Sequence, residues 1–207
     1  MYRLYARKGA GSAAIEAMLA ECGTDYEIED VVRNADGSIP QSLHRINPRG
    51  EVPTLILPDD SVMTESAAIL IHLGDSFPKA ELAPAVASPL RPRYLRWMIY
   101  LATTVYMSDL RMYYPERYTA GPAGAAAVKS RAIAHMEREF DIYAEALGGG
   151  PFILGAPMSA VDIYAAMLVT WAPNVAALFA RHPNLKIMHD RVATRPAIAA
   201  VWARNGM

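Results

Sequence analysis

The chain is 207 residues long, 53% hydrophobic and 20% charged, which fits one large domain or two small ones. Its 20 Lys and Arg against 21 Asp and Glu leave a formal charge of -1 and no basic surplus to displace counterions from a phosphate backbone, so nucleic-acid binding is not expected. A single cysteine, Cys22, forbids an intramolecular disulfide, and the opening Met1-Tyr2-Arg3-Leu4-Tyr5-Ala6-Arg7-Lys8 has no apolar signal core, so the expected compartment is a reducing cytoplasm.

Tyr2 to Tyr5 alternates as a strand does, and Gly9-Ala10-Gly11-Ser12 then turns the chain into a helix with Ile15, Met18, Leu19 and Cys22 on one face and Gly23 as its stop. Tyr26 to Val31 reads as a second strand, parallel to the first because a helix connects them. The polar stretch from Arg33 to Pro40 reads as loop. Thr54 to Leu57 and Ser61 to Met63, joined by Pro58-Asp59-Asp60, predict an antiparallel hairpin, and a helix follows with Ile69, Leu73 and Phe77 aligned. The expected product is a mixed sheet of about four strands covered by helices.

Pro78, Pro84, Pro89 and Pro92 among many alanines mark a linker, placed at residues 79–91 between a first domain (1–78) and a second (92–207). The second domain reads as entirely helical, with five helices. One runs from Arg93 to about Tyr113 and another from Ala123 to Leu147, ended by Gly148-Gly149-Gly150-Pro151. Ser159-Ala160-Val161-Asp162 predicts a capping box that starts a further helix. The uncharged stretch from Ile163 to Ala180 is broken by Pro173-Asn174 and is short for a bilayer crossing of about 20 residues, so it is expected to be core and no membrane partner is foreseen.

Three places in the first domain carry residues beyond the needs of packing. In Asn47-Pro48-Arg49-Gly50-Glu51-Val52-Pro53-Thr54 a proline gives up an amide at a strand entrance; a cis bond there would turn the Val52 amide and carbonyl into an edge for a peptide-like ligand, and a trans bond would simply start an edge strand. In Thr64-Glu65-Ser66 the free amides of a helix start, the Ser66 hydroxyl and the Glu65 carboxylate suit a ligand bearing both a carboxylate and an ammonium group, although Thr64 could equally be a plain N-cap. At Gly11-Ser12 a hydroxyl and a helix dipole converge where a thiolate would be stabilised, or Ser12 is an N-cap; Tyr5 is a second hydroxyl nearby or a core residue. His44, His72, His135, His182 and His189 share no ligand spacing, so no metal is expected, and no Cys-x-x-Cys pair, nucleophile elbow or phosphate loop is present.

Three motifs in order, NPRGEVPTL (Asn47–Leu55), TESAAIL (Thr64–Leu70) and FILGAPMSAVDIY (Phe152–Tyr164), resemble the cytosolic glutathione S-transferase family. The resemblance spans nearly the whole chain and implies a thioredoxin-like first domain, an all-helical second domain and a homodimer. It implies that Val52-Pro53 is cis, with Val52 pairing with the cysteinyl unit of glutathione, and that Glu65 and Ser66 hold its γ-glutamyl group. Bacterial beta-type members carry a cysteine where this chain has Gly11, which argues against mixed-disulfide chemistry. Serine-type members use a hydroxyl of this loop, here Ser12, and tyrosine-type members one on the strand, here Tyr5. Tyr106, Arg111 and Tyr113 are expected to line the site of a small hydrophobic electrophile, Tyr106 near a position that is polar in beta-type members. The implied activity is conjugation of glutathione, as co-substrate, to that electrophile in a detoxifying role. The alternatives are glutathione-dependent peroxide reduction and a non-catalytic binding or interaction protein on the same fold.

Overall fold

A computed structural model describes all residues from Met1 to Met207. They form two compact units, Met1–Ala83 together with Ala193–Met207, and Pro84–Val192.

In the first unit, β1 (Tyr2–Ala6) pairs in parallel with β2 (Tyr26–Asp30), from Tyr2 opposite Tyr26 to Ala6 opposite Asp30. Antiparallel β3 (Thr54–Ile56) lies on its other side, and the two-residue β4 (Val62–Met63) closes the order β2-β1-β3-β4. The crossover from β1 to β2 runs through α1 (Ser12–Glu21). This helix was expected to bury one face; Ser12 to Leu19 are all buried, because α3 (Ser66–Ser76) and α10 (Pro196–Asn205) both pack on it. Small alanines at 13, 14 and 17 let those neighbours approach on more than one side.

The stretch before β3, to which the sequence assigned no element, contains α2 (Gln41–Ile46), whose one fully buried residue is Leu43. Six residues with one buried anchor give no helical period to detect.

The second unit opens with α4 (Arg91–Tyr100), which starts one residue before Pro92. Proline fits a first helical turn, where its missing amide has no partner to lose, so the helix extends into the segment read as linker. The expected single long helix continues through a π-helical turn, Leu101–Val105, into α5 (Tyr106–Tyr113). After 3-10 turns comes α6 (Ala125–Leu147), then α7 (Ala160–Val169), whose ten residues are all buried. The Ser159 and Asp162 side chains form the predicted capping box of α7. Pro173 and Asn174 separate α7 from α8 (Val175–Arg181), as the sequence indicated, and Asn174 Oδ1 caps α8 by accepting from the Ala177 amide at 2.9 Å. α9 (Pro183–Ala193) follows. No helix is long and apolar enough to cross a membrane. α10 packs with the first unit rather than with the helices preceding it in sequence, so helical residues assigned to the second domain complete the first.

Candidate functional site

Strand register brings the three motif regions of the first unit to one end of the sheet. Tyr5 lies opposite Thr54, so the end of β1 meets the start of β3; Met63 lies opposite Leu55, so β4 finishes at that same end. The β1–α1 loop, the Val52–Pro53 bond and the start of α3 all leave the sheet there.

Asn47 organises the approach to β3. It is 4% exposed, and its Nδ2 donates to the Glu51 carbonyl and to Thr54 Oγ1, both at 3.0 Å, while its Oδ1 accepts from the Arg49 amide at 3.1 Å. The Thr54 hydroxyl donates in turn to the Glu51 carbonyl at 2.8 Å. Gly50 has φ 62°, and a Cβ there would sit 2.4 Å from His44 Cε1, so any other residue would be strained and would have to displace the His44 ring. The loop ends in a cis peptide bond, Val52–Pro53, with Val52 half-buried against the cluster of Tyr5, Val31, Leu43 and Ile56. Asn47 lay inside a recognised motif, but its role was missed. An Asx residue just before Pro and Gly is the available signal, since its amide can bond the backbone two residues on.

At the head of α3 the N-cap position is Glu65, and not Thr64, which the alternative reading of this helix start had placed there. Glu65 adopts φ 65° and ψ 104° and makes no side-chain capping bond. A non-glycine residue in this region costs on the order of 1–3 kcal/mol and persists where the surroundings enforce it. Its side chain is exposed, and half-buried Ser66 follows as the first residue of the 11-residue helix.

Ser12 is fully buried and is the first residue of α1, after Gly11 in the N-cap position. Its hydroxyl accepts from the Arg7 amide at 3.1 Å and donates to the Arg7 carbonyl at 3.2 Å, so both roles close the β1–α1 loop. Tyr5 is 9% exposed and packs in the cluster with Val31, Leu43 and Ile56.

The second unit holds the residues expected at the electrophile. Tyr106 is half-buried, edge-on to Trp171 with ring centroids 5.6 Å apart and tilted against Tyr164 at 6.3 Å. Trp171 drew no attention in the sequence because it lies in a turn beyond the motif that contains Tyr164. Arg111 is exposed and sits over the Tyr118 ring, 5.4 Å from its centroid, and Tyr113 is 58% exposed. Asp109, on α5 between Tyr106 and Tyr113, was not singled out. It is 5% exposed, its Oδ1 has no hydrogen-bond partner, and burial pushes its carboxyl up to about 7. Next to it, the Ser108 hydroxyl donates to Glu139 Oε1 at 3.0 Å, and burial raises the Glu139 carboxyl as well. No three His, Cys, Asp or Glu side chains gather in a way that could hold a metal ion.

Two family models match the chain: the glutathione S-transferase N-terminal domain over residues 12–76 and the C-terminal domain over residues 110–204. The uncharacterized GST-like protein YncG of Escherichia coli K12 is 30% identical over 206 residues, covering 99% of this chain and 98% of that protein. Glutathione S-transferase GstA of Escherichia coli O157:H7 is 26% identical over 211 residues, with 99% of each chain covered. A sphingomonad glutathione S-transferase solved in complex with glutathione superposes with a TM-score of 0.84 at 27% identity, over 99% of both chains.

Proposed function

The chain belongs to the cytosolic glutathione S-transferase family, and from that premise we propose that it binds glutathione in its first unit and conjugates it to a small hydrophobic electrophile. The observation that carries this reading is Glu65, held at φ 65° at the head of α3, on the same sheet end as the Val52–Pro53 loop. A strained non-glycine backbone at the start of a helix is an arrangement that folding alone does not favour. In the proposed complex the Ser66 amide and hydroxyl take the γ-glutamyl carboxylate, Glu65 takes its ammonium group, and the Val52 backbone pairs with the cysteinyl unit. The complex with glutathione recorded for the sphingomonad relative supports glutathione as the ligand.

Thiol activation is assigned to the start of α1. Lowering a thiol from about 8.5 by two units takes roughly 2.7 kcal/mol. A helix N-terminus (about 0.3–2 kcal/mol) and one charge-assisted hydrogen bond (about 1.5–3 kcal/mol) suffice for that. Of the two candidate hydroxyls, that of Ser12 is committed to Arg7 and Tyr5 belongs to the core, so the backbone amides of the Gly11–Ser12 turn are the proposed donors. The thiol proton passes to solvent, and the thiolate attacks the electrophilic carbon. A C–S bond forms as the leaving group departs with its electron pair. The assembly proposed is the homodimer usual in the family.

Steady-state conjugation of glutathione to chlorodinitrobenzene tests this. Wild type should turn over, Ser66→Ala should raise the KM for glutathione by about tenfold or more, and Ser12→Ala should lose no more than about threefold in kcat. A loss of about a hundredfold in Ser12→Ala would return the role to its hydroxyl.

A further inference from the structure

The segment from Tyr106 to Tyr118 holds four of the chain's 11 tyrosines, and its C-terminal part is where α5 gives way to the 3-10 turn Pro115–Tyr118. Two arginines cross over this turn. Arg111 reaches forward from α5 to lie over the Tyr118 ring at 5.4 Å, and Arg117 reaches back to lie over the Tyr114 ring at 4.0 Å. The other long-range arginines of the molecule are spent on acids or carbonyls: Arg181 on Asp141, Arg195 on Glu21, Arg204 on Glu16 and Asp30, and Arg93 on the Ala146 carbonyl. Arg111 and Arg117 make no salt bridge; each lies on a tyrosine, and Arg111 acts on the Glu139 carboxylate only through its field. The acids near them form no salt bridge with this pair, although the Arg111 charge favours the ionised Glu139 carboxylate. Asp109 is buried with its carboxyl pushed up to about 7, Glu139 accepts from Ser108, and Glu116 is exposed in the turn without an ion pair.

A guanidinium held on an aromatic face keeps its edge donors free and has already lost part of the side-chain entropy that binding would otherwise cost. That fork matches a carboxylate in two-point fashion. Beside it, Tyr113 at 58% and Tyr118 at 38% exposure present flat apolar surface of the kind an aromatic ring covers. We propose that Arg111 and Arg117, stacked on Tyr118 and Tyr114, form a binding site for aromatic carboxylates, so that the electrophiles preferred by this protein carry an acidic group. The role in electrophile choice rests on the proposed transferase activity; the binding of aromatic acids does not.

Calorimetric titration of a chloronitrobenzoate and of its neutral carboxamide, at low ionic strength and without glutathione, reads the site directly. The acid should bind wild type about tenfold more tightly than the amide. Arg111→Gln/Arg117→Gln should bring the two within about twofold, Arg117→Gln alone should fall between, and Arg111→Lys/Arg117→Lys should recover only part of the preference because lysine lacks the fork. Equal binding of acid and amide by wild type would overturn the inference, as would a preference that survives in the double Gln variant. The same two compounds, offered with glutathione as electrophiles, separate the claims. Conjugation without preference for the acid contradicts this site alone, whereas acid binding without any conjugate contradicts the transferase reading and leaves the site standing.

Discussion

Glu65 carries a backbone conformation that glycine would adopt at little cost, in a helix start where neither packing nor capping uses its side chain. Glu65→Gly should therefore raise the unfolding free energy by about 1 kcal/mol in urea denaturation while weakening glutathione binding; a variant that loses stability would show that the conformation is not strained. Asp109 poses the opposite problem, a buried acid without a partner for Oδ1. Its carboxyl is pushed by burial up to about 7, against about 3.9 in an unfolded chain. Between those values the folded state holds the extra proton, so stability falls as pH rises through that window and levels off above it. Glu139 and Asp162, also raised by burial, contribute in the same direction. Asp109→Asn should remove the Asp109 part of the slope, gaining roughly 2–4 kcal/mol over wild type at pH 8 and nothing near pH 4. Equal pH profiles for the two proteins would contradict the assignment.

Among the elements, α10 has the longest reach in sequence. Its Arg204 Nε donates to Glu16 Oε1 at 2.8 Å, Asn205 Nδ2 donates to Glu16 Oε2 at 3.0 Å, and Arg204 also bonds Asp30 Oδ1 at 3.2 Å at the end of β2. Glu16 is 3% exposed, so both of its oxygens depend on these partners. Arg204→Ala leaves a buried carboxylate half-satisfied and should cost about 2–4 kcal/mol in denaturant unfolding, a change within about 0.5 kcal/mol meaning that the clamp is solvated. None of this was legible in the sequence, because an acid on α1 and an arginine near the C-terminus carry no mark of their pairing. What was legible had a local cause. The strand alternation, the Pro-Asp-Asp hairpin turn and the Ser159–Asp162 box each state their geometry within a few residues. α2 was invisible for want of a period, and the π-helical turn because its apolar pattern differs from an α-helix by one residue. The place of Glu65 and Ser66 at a helix start was legible, but the engagement of Ser12 with Arg7 depends on how the β1–α1 loop folds back, which residue types do not specify.

At the scale of the molecule the proposed chemistry divides between the units. The first carries three motif regions at one sheet end, and the second carries the aromatic and arginine residues of α5 and the turn after it. Every catalytic reading passes through the first. Isothermal titration of glutathione into wild type, Glu65→Ala and Ser66→Ala is therefore the most direct test. Binding by wild type that weakens by about tenfold or more in each variant, with folding intact, is the predicted result. Absence of binding to wild type, or affinity unchanged in both variants, would contradict it.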